Sequence, residues 1–194
     1  MAIAKLQSKF TLIFSNGEAI CRVKIRPDST AQTKSFPRLL TPRLYHTIVE
    51  NPDQKLFALG GVCQQTQLVL NTIEVIDNKQ LAWSKLALRL PLGGLYDMSA
   101  VCLPDGLLCF GGMDQYNNAS AQCFKVWQNK INKCQQLPFK LQGQSHSVRT
   151  GNYDTVFTFS ENSLLKYDVR SDRWEVDKTV GSVLKPLGAC LISN

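Results

Sequence analysis

Leu56-Phe57-Ala58-Leu59-Gly60-Gly61 and Leu107-Leu108-Cys109-Phe110-Gly111-Gly112 are two copies of one pattern, an apolar strand ending in a double glycine, 51 positions apart. Sixteen residues after each second glycine another strand ends, at Asp77 and at Gln128. A period near 50 residues marks a repeat architecture built of small sheets. Working outward from these copies gives the organisation of the whole chain.

Each full unit reads as four short strands, a to d. Strand a spans residues 44–51, 96–103 and 144–150, strand b 55–61, 106–112 and 154–160, and strand c 71–77, 121–128 and 163–168. A short strand d follows each. Runs of β-branched, aromatic and aliphatic residues, separated by Asn, Asp, Pro and Gly, favour strands throughout. No helical periodicity of ten or more residues is present. A second offset supports the register: Asp77 to Trp83 and Asp168 to Trp174 are each six positions, and Gln128 to Cys134 has the same spacing without either side chain.

The N-terminus supplies a degenerate unit. Thr11-Leu12-Ile13-Phe14-Ser15-Asn16 aligns with Val156-Phe157-Thr158-Phe159-Ser160-Glu161, and its strand c is Ile20 to Arg26. This unit is expected to lack strand a, with the C-terminal residues 186–194 filling the place and closing a ring. Sharing one sheet between the termini would satisfy backbone groups that an edge strand leaves open. The expected units are therefore residues 9–43 plus 186–194, then 44–95, 96–143 and 144–185.

The diglycine strand followed by Asp and, six positions on, Trp resembles the kelch repeat. So does Thr41-Pro42-Arg43-Leu44-Tyr45-His46 as the lead into strand a. The resemblance runs from about Phe10 to Asn194. It departs at the Ser-Asn and Ser-Glu pairs that replace Gly-Gly, and at Arg26, Gln32, Gln128 and Cys134. Kelch similarity implies an all-β fold, a β-propeller of four-stranded antiparallel blades. Four units of about 48 residues fill the chain, which places four blades at the lower limit of propeller size. The competing arrangements are a piece of a larger propeller and two chains completing one ring. Gly60, Gly61, Gly111 and Gly112 are then expected where backbone crowds the axis, and Trp83 and Trp174 as wedges between blades.

The chain carries 22 Lys and Arg against 15 Asp and Glu, a net charge of +7. Residues 1–43 hold eight of these cations against Glu18 and Asp28, so the excess belongs to one segment. On strand c of the first unit, alternation puts Arg22, Lys24 and Arg26 on one face. A solvated edge or an acidic protein partner fits this face. Nucleic acid fits it poorly, because no aromatic platform accompanies the charges.

Seven scattered cysteines without C-x-x-C spacing read as reduced thiols of a cytoplasmic protein. No apolar run approaches the roughly 20 residues that cross a bilayer. His46 and His146 occupy similar places in two units, which fits a repeated structural role better than a metal pair. No serine stands in a nucleophile motif, and Asp77 and Asp168 read as turn caps. The expectation is a non-catalytic protein-interaction module without cofactor, monomeric or part of a larger complex. The b–c loops, Val62 to Leu70 and Met113 to Ser120, are its candidate binding edge through Gln64, Gln65, Gln67, Asp114, Tyr116 and Asn117. A structural subunit of a large assembly and an enzyme with a site on the propeller axis are the alternatives.

Overall fold

The computed structural model describes residues 2–5, 11–17, 19–25, 30–77, 82–141, 146–150, 154–160 and 163–179. Their regular structure is entirely β, arranged in four antiparallel sheets of four strands and one of two. The chain divides into two compact units, Met1–Tyr96 and Asp97–Asn194.

In the first unit, β1 (Ala2–Lys5), β2 (Thr11–Asn16), β3 (Ala19–Ile25) and β4 (Ala31–Ser35) pair in sequence order. Two short strands, β5 (Arg43–Leu44) and β8 (Val62–Cys63), pair with each other. The second large sheet comprises β6 (Thr47–Glu50), β7 (Leu56–Leu59), β9 (Thr72–Ile76) and β10 (Ser84–Arg89), again paired consecutively. Strand β1 runs beside β6, so the two sheets approach through their first strands. Between them lies a core of Ile20, Leu39, Ile48, Leu56, Ala58, Ile76 and Trp83, with Phe36 packed against it. Trp83 is buried here and its Nε1–H donates to the Pro37 carbonyl at 2.8 Å.

The second unit repeats the plan. Strands β11 (Ser99–Leu103), β12 (Gly106–Phe110), β13 (Cys123–Trp127) and β14 (Lys130–Lys133) form one meander. Strands β15 (His146–Arg149), β16 (Thr155–Ser160), β17 (Ser163–Asp168) and β18 (Arg173–Thr179) form the other. Here β11 runs beside β15. Trp174 from the second meander meets Phe110 from the first nearly edge-on, with centroids 4.9 Å apart, and lies against Tyr167 at 4.8 Å. Val101, Leu103, Leu108, Val156 and Leu165 complete this core.

The repeat is visible in individual hydrogen bonds. Gly60 N–H donates to Thr72 O at 3.1 Å, and Gly111 N–H to Gln122 O at 3.0 Å. Leu70 N–H closes on Gly61 O at 2.7 Å, and Ser120 N–H on Gly112 O at 2.8 Å. The glycine at position 60 is required twice over. Its φ is +59°, and a Cβ there would stand 2.0 Å from the Leu95 carbonyl oxygen.

Three expectations need correction. The first sheet does not lack its strand a: Ala2–Lys5 supplies it, pairing with β2 from Ala2↔Ser15 to Lys5↔Leu12. Two of those four residues are alanine, which has little strand preference, so the sequence pattern conceals the strand. Residues 186–194, assigned to that place, lie outside the described residues. The strand expected over 44–51 is broken: Tyr45 takes φ +54°, which separates β5 from β6 and turns the first to pair with β8. The shared six-residue offset also conceals different hairpins. Trp174 stands opposite Tyr167, and the Ser84↔Val75 register places Trp83 opposite Ile76. In the third sheet a two-residue turn pairs Trp127 with Lys130, so Cys134 falls opposite Cys123 instead.

Candidate functional site

The two b–c loops leave equivalent points of their sheets and are fastened in different ways. In the first, Cys63 N–H donates to Leu68 O and Gln67 N–H to Cys63 O, both at 2.9 Å. Gln64 N–H reaches Pro42 O at 3.0 Å, which ties the loop to the segment before β5. Gln67 takes φ +58° and turns its amide back to the Gln64 carbonyl at 2.8 Å. Its side chain therefore maintains the loop, while Gln64, Gln65 and Leu68 face solvent.

The second loop is organised by Asp114. One carboxylate oxygen accepts Tyr116 N–H at 2.8 Å and Asn118 N–H at 2.9 Å; the other accepts the Asn118 side-chain amide at 3.3 Å. These bonds hold the Asp114 carboxyl below the usual carboxylate range, the Asn118 backbone N–H contributing most. Asp114 is a fastener, as an Asx turn predicts. Tyr116 is carried to the tip at 74% exposure, and Leu68 stands at 66% in the other loop. Asn117 is exposed beside the tyrosine, in the left-handed region at φ +61°. The sequence reading named the tyrosine and missed Leu68, whose aliphatic side chain reads as core until the loop closure around it is known.

The basic face of β3 is partly consumed within the fold. Arg22 forms an ion pair with Glu50, and its guanidinium carbon stands 5.0 Å from the Phe36 ring centroid. Lys34 approaches the same ring at 5.4 Å. Burial pushes the Glu50 carboxyl up, and the Arg22 charge opposes that shift. The Lys24 side chain and all of Arg26 lie outside the described residues.

Sequence reasoning missed two buried polar arrangements in the first unit. Arg43 and Glu74 are fully buried and form an ion pair. Arg43 also donates to the carbonyls of Thr41, Gly60 and Thr72 and to the Thr72 hydroxyl, at 3.0–3.3 Å. Glu74 accepts the backbone N–H groups of Leu40 at 2.8 Å and Thr41 at 3.1 Å. The pair thus bonds backbone of three segments, two of which, Leu40–Thr41 and Gly60, lie outside any strand. Its only signal in the sequence was a glutamate in the apolar run Thr72–Ile76.

The second arrangement is a serine–histidine contact, Ser15 Oγ to His46 Nε2 at 2.7 Å. Both residues are buried. Burial, then the Arg43 charge, hold the His46 imidazole down at about 4, so it is neutral at pH 7. A neutral imidazole accepting a serine proton is the geometry of nucleophile activation. At 3% exposure for each residue it serves as a buried clip between the first two sheets. In the second unit Asp168 caps its turn, accepting Arg170 N–H at 2.9 Å and Ser171 N–H at 2.8 Å. Among the described residues no group of three His, Cys, Asp or Glu is placed to hold a metal ion, and no helix is long and apolar enough to cross a membrane.

Fold comparison sets these features in context. The chain superimposes on the protein solved as "Structure of YjhT" with a TM-score of 0.78. The match covers 94% of this chain and 66% of that one, at 12% sequence identity. A likeness at that identity concerns the fold alone. This chain spans less than two thirds of the length of that neighbour. No family model matches the sequence, and no curated protein does.

Proposed function

We propose that this chain is a non-catalytic interaction module of kelch-type β-propeller design, working in the cytoplasm and engaging a protein partner through its b–c loops. Four consecutive meanders, with first strands adjoining inside each unit and a tryptophan packed between sheets, support the propeller reading. The observation that carries the functional reading is the pair of fastened loops at equivalent points of the repeat, each presenting one large exposed side chain, Leu68 in the first and Tyr116 in the second. Aromatic and aliphatic anchors on a rigid, internally bonded loop lose little conformational freedom on binding, which is the economy of an interaction surface. The buried state of the Ser15–His46 contact counts against a hydrolytic role for it.

The test compares the partners retained by wild-type protein with those retained by Tyr116→Ala and by Leu68→Ser, using quantitative crosslinking mass spectrometry from the native source. The proposal requires a partner that crosslinks to residues 62–70 or 113–120 and is depleted at least tenfold by one substitution. Partners that crosslink elsewhere and are retained by both variants would refute it.

A further inference from the structure

The hairpin of β13 and β14 turns through Gln128 and Asn129, both left-handed at φ +44° and +60°, as a type I′ turn requires. Its register runs Trp127↔Lys130, Val126↔Ile131, Lys125↔Asn132 and Phe124↔Lys133. One step further brings Cys123 opposite Cys134. The bond from Cys134 N–H to Cys123 O at 3.0 Å marks them as a hydrogen-bonded pair. Cα atoms in such a pair are about 5.5 Å apart, well inside the roughly 4.4–6.8 Å that a disulfide spans. Directly opposed residues project to the same face, so the two free thiols are neighbours across the ladder.

The surroundings distinguish the two sulfurs. Cys123 is buried in the core of the second unit, while Cys134 is partly exposed at its margin. The indole N–H of Trp174, in the same core, is buried without a hydrogen-bond partner. The Tyr167 hydroxyl, beside Cys134, donates to Asp172 at 2.7 Å.

We propose that Cys123 and Cys134 form a redox-active dithiol, which a peroxide converts to an intramolecular disulfide. The Cys134 thiolate attacks the peroxide: an S–O bond forms, the O–O bond breaks, and the leaving oxygen takes a proton as water or alcohol. Cys134 is thereby oxidised by two electrons to the sulfenic acid. The Cys123 sulfur then displaces the hydroxyl: the S–S bond forms, the S–O bond breaks, and the Cys123 proton leaves with the hydroxyl as water. Overall, two thiols and one peroxide give one disulfide, one water and one water or alcohol. The thiol pairing favours this order, because the neighbouring Cys123 thiol holds the Cys134 thiol below the ordinary range while Cys123, beside Cys134 and buried, is pushed up.

The experiment treats the full chain with hydrogen peroxide, blocks remaining thiols with N-ethylmaleimide, and maps tryptic peptides without reduction. Cleavage at Lys125, Lys130 and Lys133 separates the two cysteines, so the disulfide is read as a linked peptide pair. The proposal expects that pair as the first oxidation product, and its loss in Cys134→Ser. In Cys123→Ser a sulfenic acid trapped by dimedone should accumulate on Cys134. Before oxidation, Cys134 should alkylate ahead of Cys123 and with a pH midpoint below that of an ordinary thiol, since its thiolate fraction is the greater. Linkage through other cysteines, or Cys134 reaching sulfinic acid while Cys123 stays reduced, would overturn it. Wild-type mapping alone decides the matter if either variant misfolds.

Discussion

Replacing Arg43 with methionine removes the guanidinium and leaves the Glu74 carboxylate buried without its counter-charge. Breaking a buried pair from one side costs about 3–5 kcal/mol. The instructive variant is the double one, Arg43→Met with Glu74→Leu. Where an ion pair serves only itself, an apolar replacement of both partners is often neutral or stabilising. Here the pair also bonds the N–H groups of Leu40 and Thr41 and the carbonyls of Thr41 and Gly60, whereas the Thr72 carbonyl keeps the Gly60 N–H. Four backbone groups losing partners at about 1 kcal/mol each predict a double variant that stays destabilised by about 4 kcal/mol. Urea unfolding, followed by tryptophan fluorescence and far-ultraviolet circular dichroism, measures all three proteins. A double variant within about 1 kcal/mol of wild type would refute the assignment of the pair as a backbone tie, because that is the result for a replaceable ion pair.

Four further outcomes are expected. Trp174→Ala should cost roughly 3–5 kcal/mol, the range for truncating a buried aromatic; a change below about 1 kcal/mol in denaturant melts would contradict its packing against Phe110 and Tyr167. Gly60→Ala should cost more than about 2 kcal/mol, because the new Cβ meets a backbone carbonyl at a positive φ. Gly111→Ala should cost only about 1–2 kcal/mol, since its nearest neighbour is the Leu141 side chain at 3.1 Å; thermal melts that reverse this order would exclude the explanation. For His46 the folded imidazole titrates at about 4, below the unfolded value of 6.5. The unfolded chain therefore binds the proton first, and stability is fully present above pH 6.5 and falls as pH drops from 6.5 to 4, by roughly 3 kcal/mol in total. His46→Gln should flatten that segment of the stability–pH curve, and an unchanged slope would show that other groups set it.

The all-β character and the order of most strands were legible because diglycines and alternating apolar runs are local signals. Ser163–Asp168 was read to the residue. The first strand was not, because alanine carries almost no β signal and the evidence for Ala2–Lys5 as a strand is its pairing with Thr11–Asn16. Equal spacing misled at Cys134, since six residues from the end of strand c can be spent on a four-residue connection or on a two-residue turn with a longer ladder. The first loop, expected from Val62, begins instead with strand β8 at Val62–Cys63. Which loop side chains face outward depends on hydrogen bonds across the loop, as Asp114 and Gln67 illustrate. Arg43–Glu74 and Ser15–His46 join residues about 30 positions apart, and no single-sequence pattern reports such meetings.

The meander order of every large sheet has a consequence for how the chain acquires its structure. Each strand finds its partner in the segment just made, so ladders form at short sequence separation, where closing a loop is entropically cheap. The tryptophans act at another range: Trp83 reaches Pro37 and Trp174 reaches Phe110, across 46 and 64 positions. Assembly thus separates into a fast local stage, set by turns and strands, and a slower one in which preformed sheets dock through an aromatic side chain. Substitutions at the turns should slow the first stage, whereas those at the tryptophans should chiefly hasten unfolding.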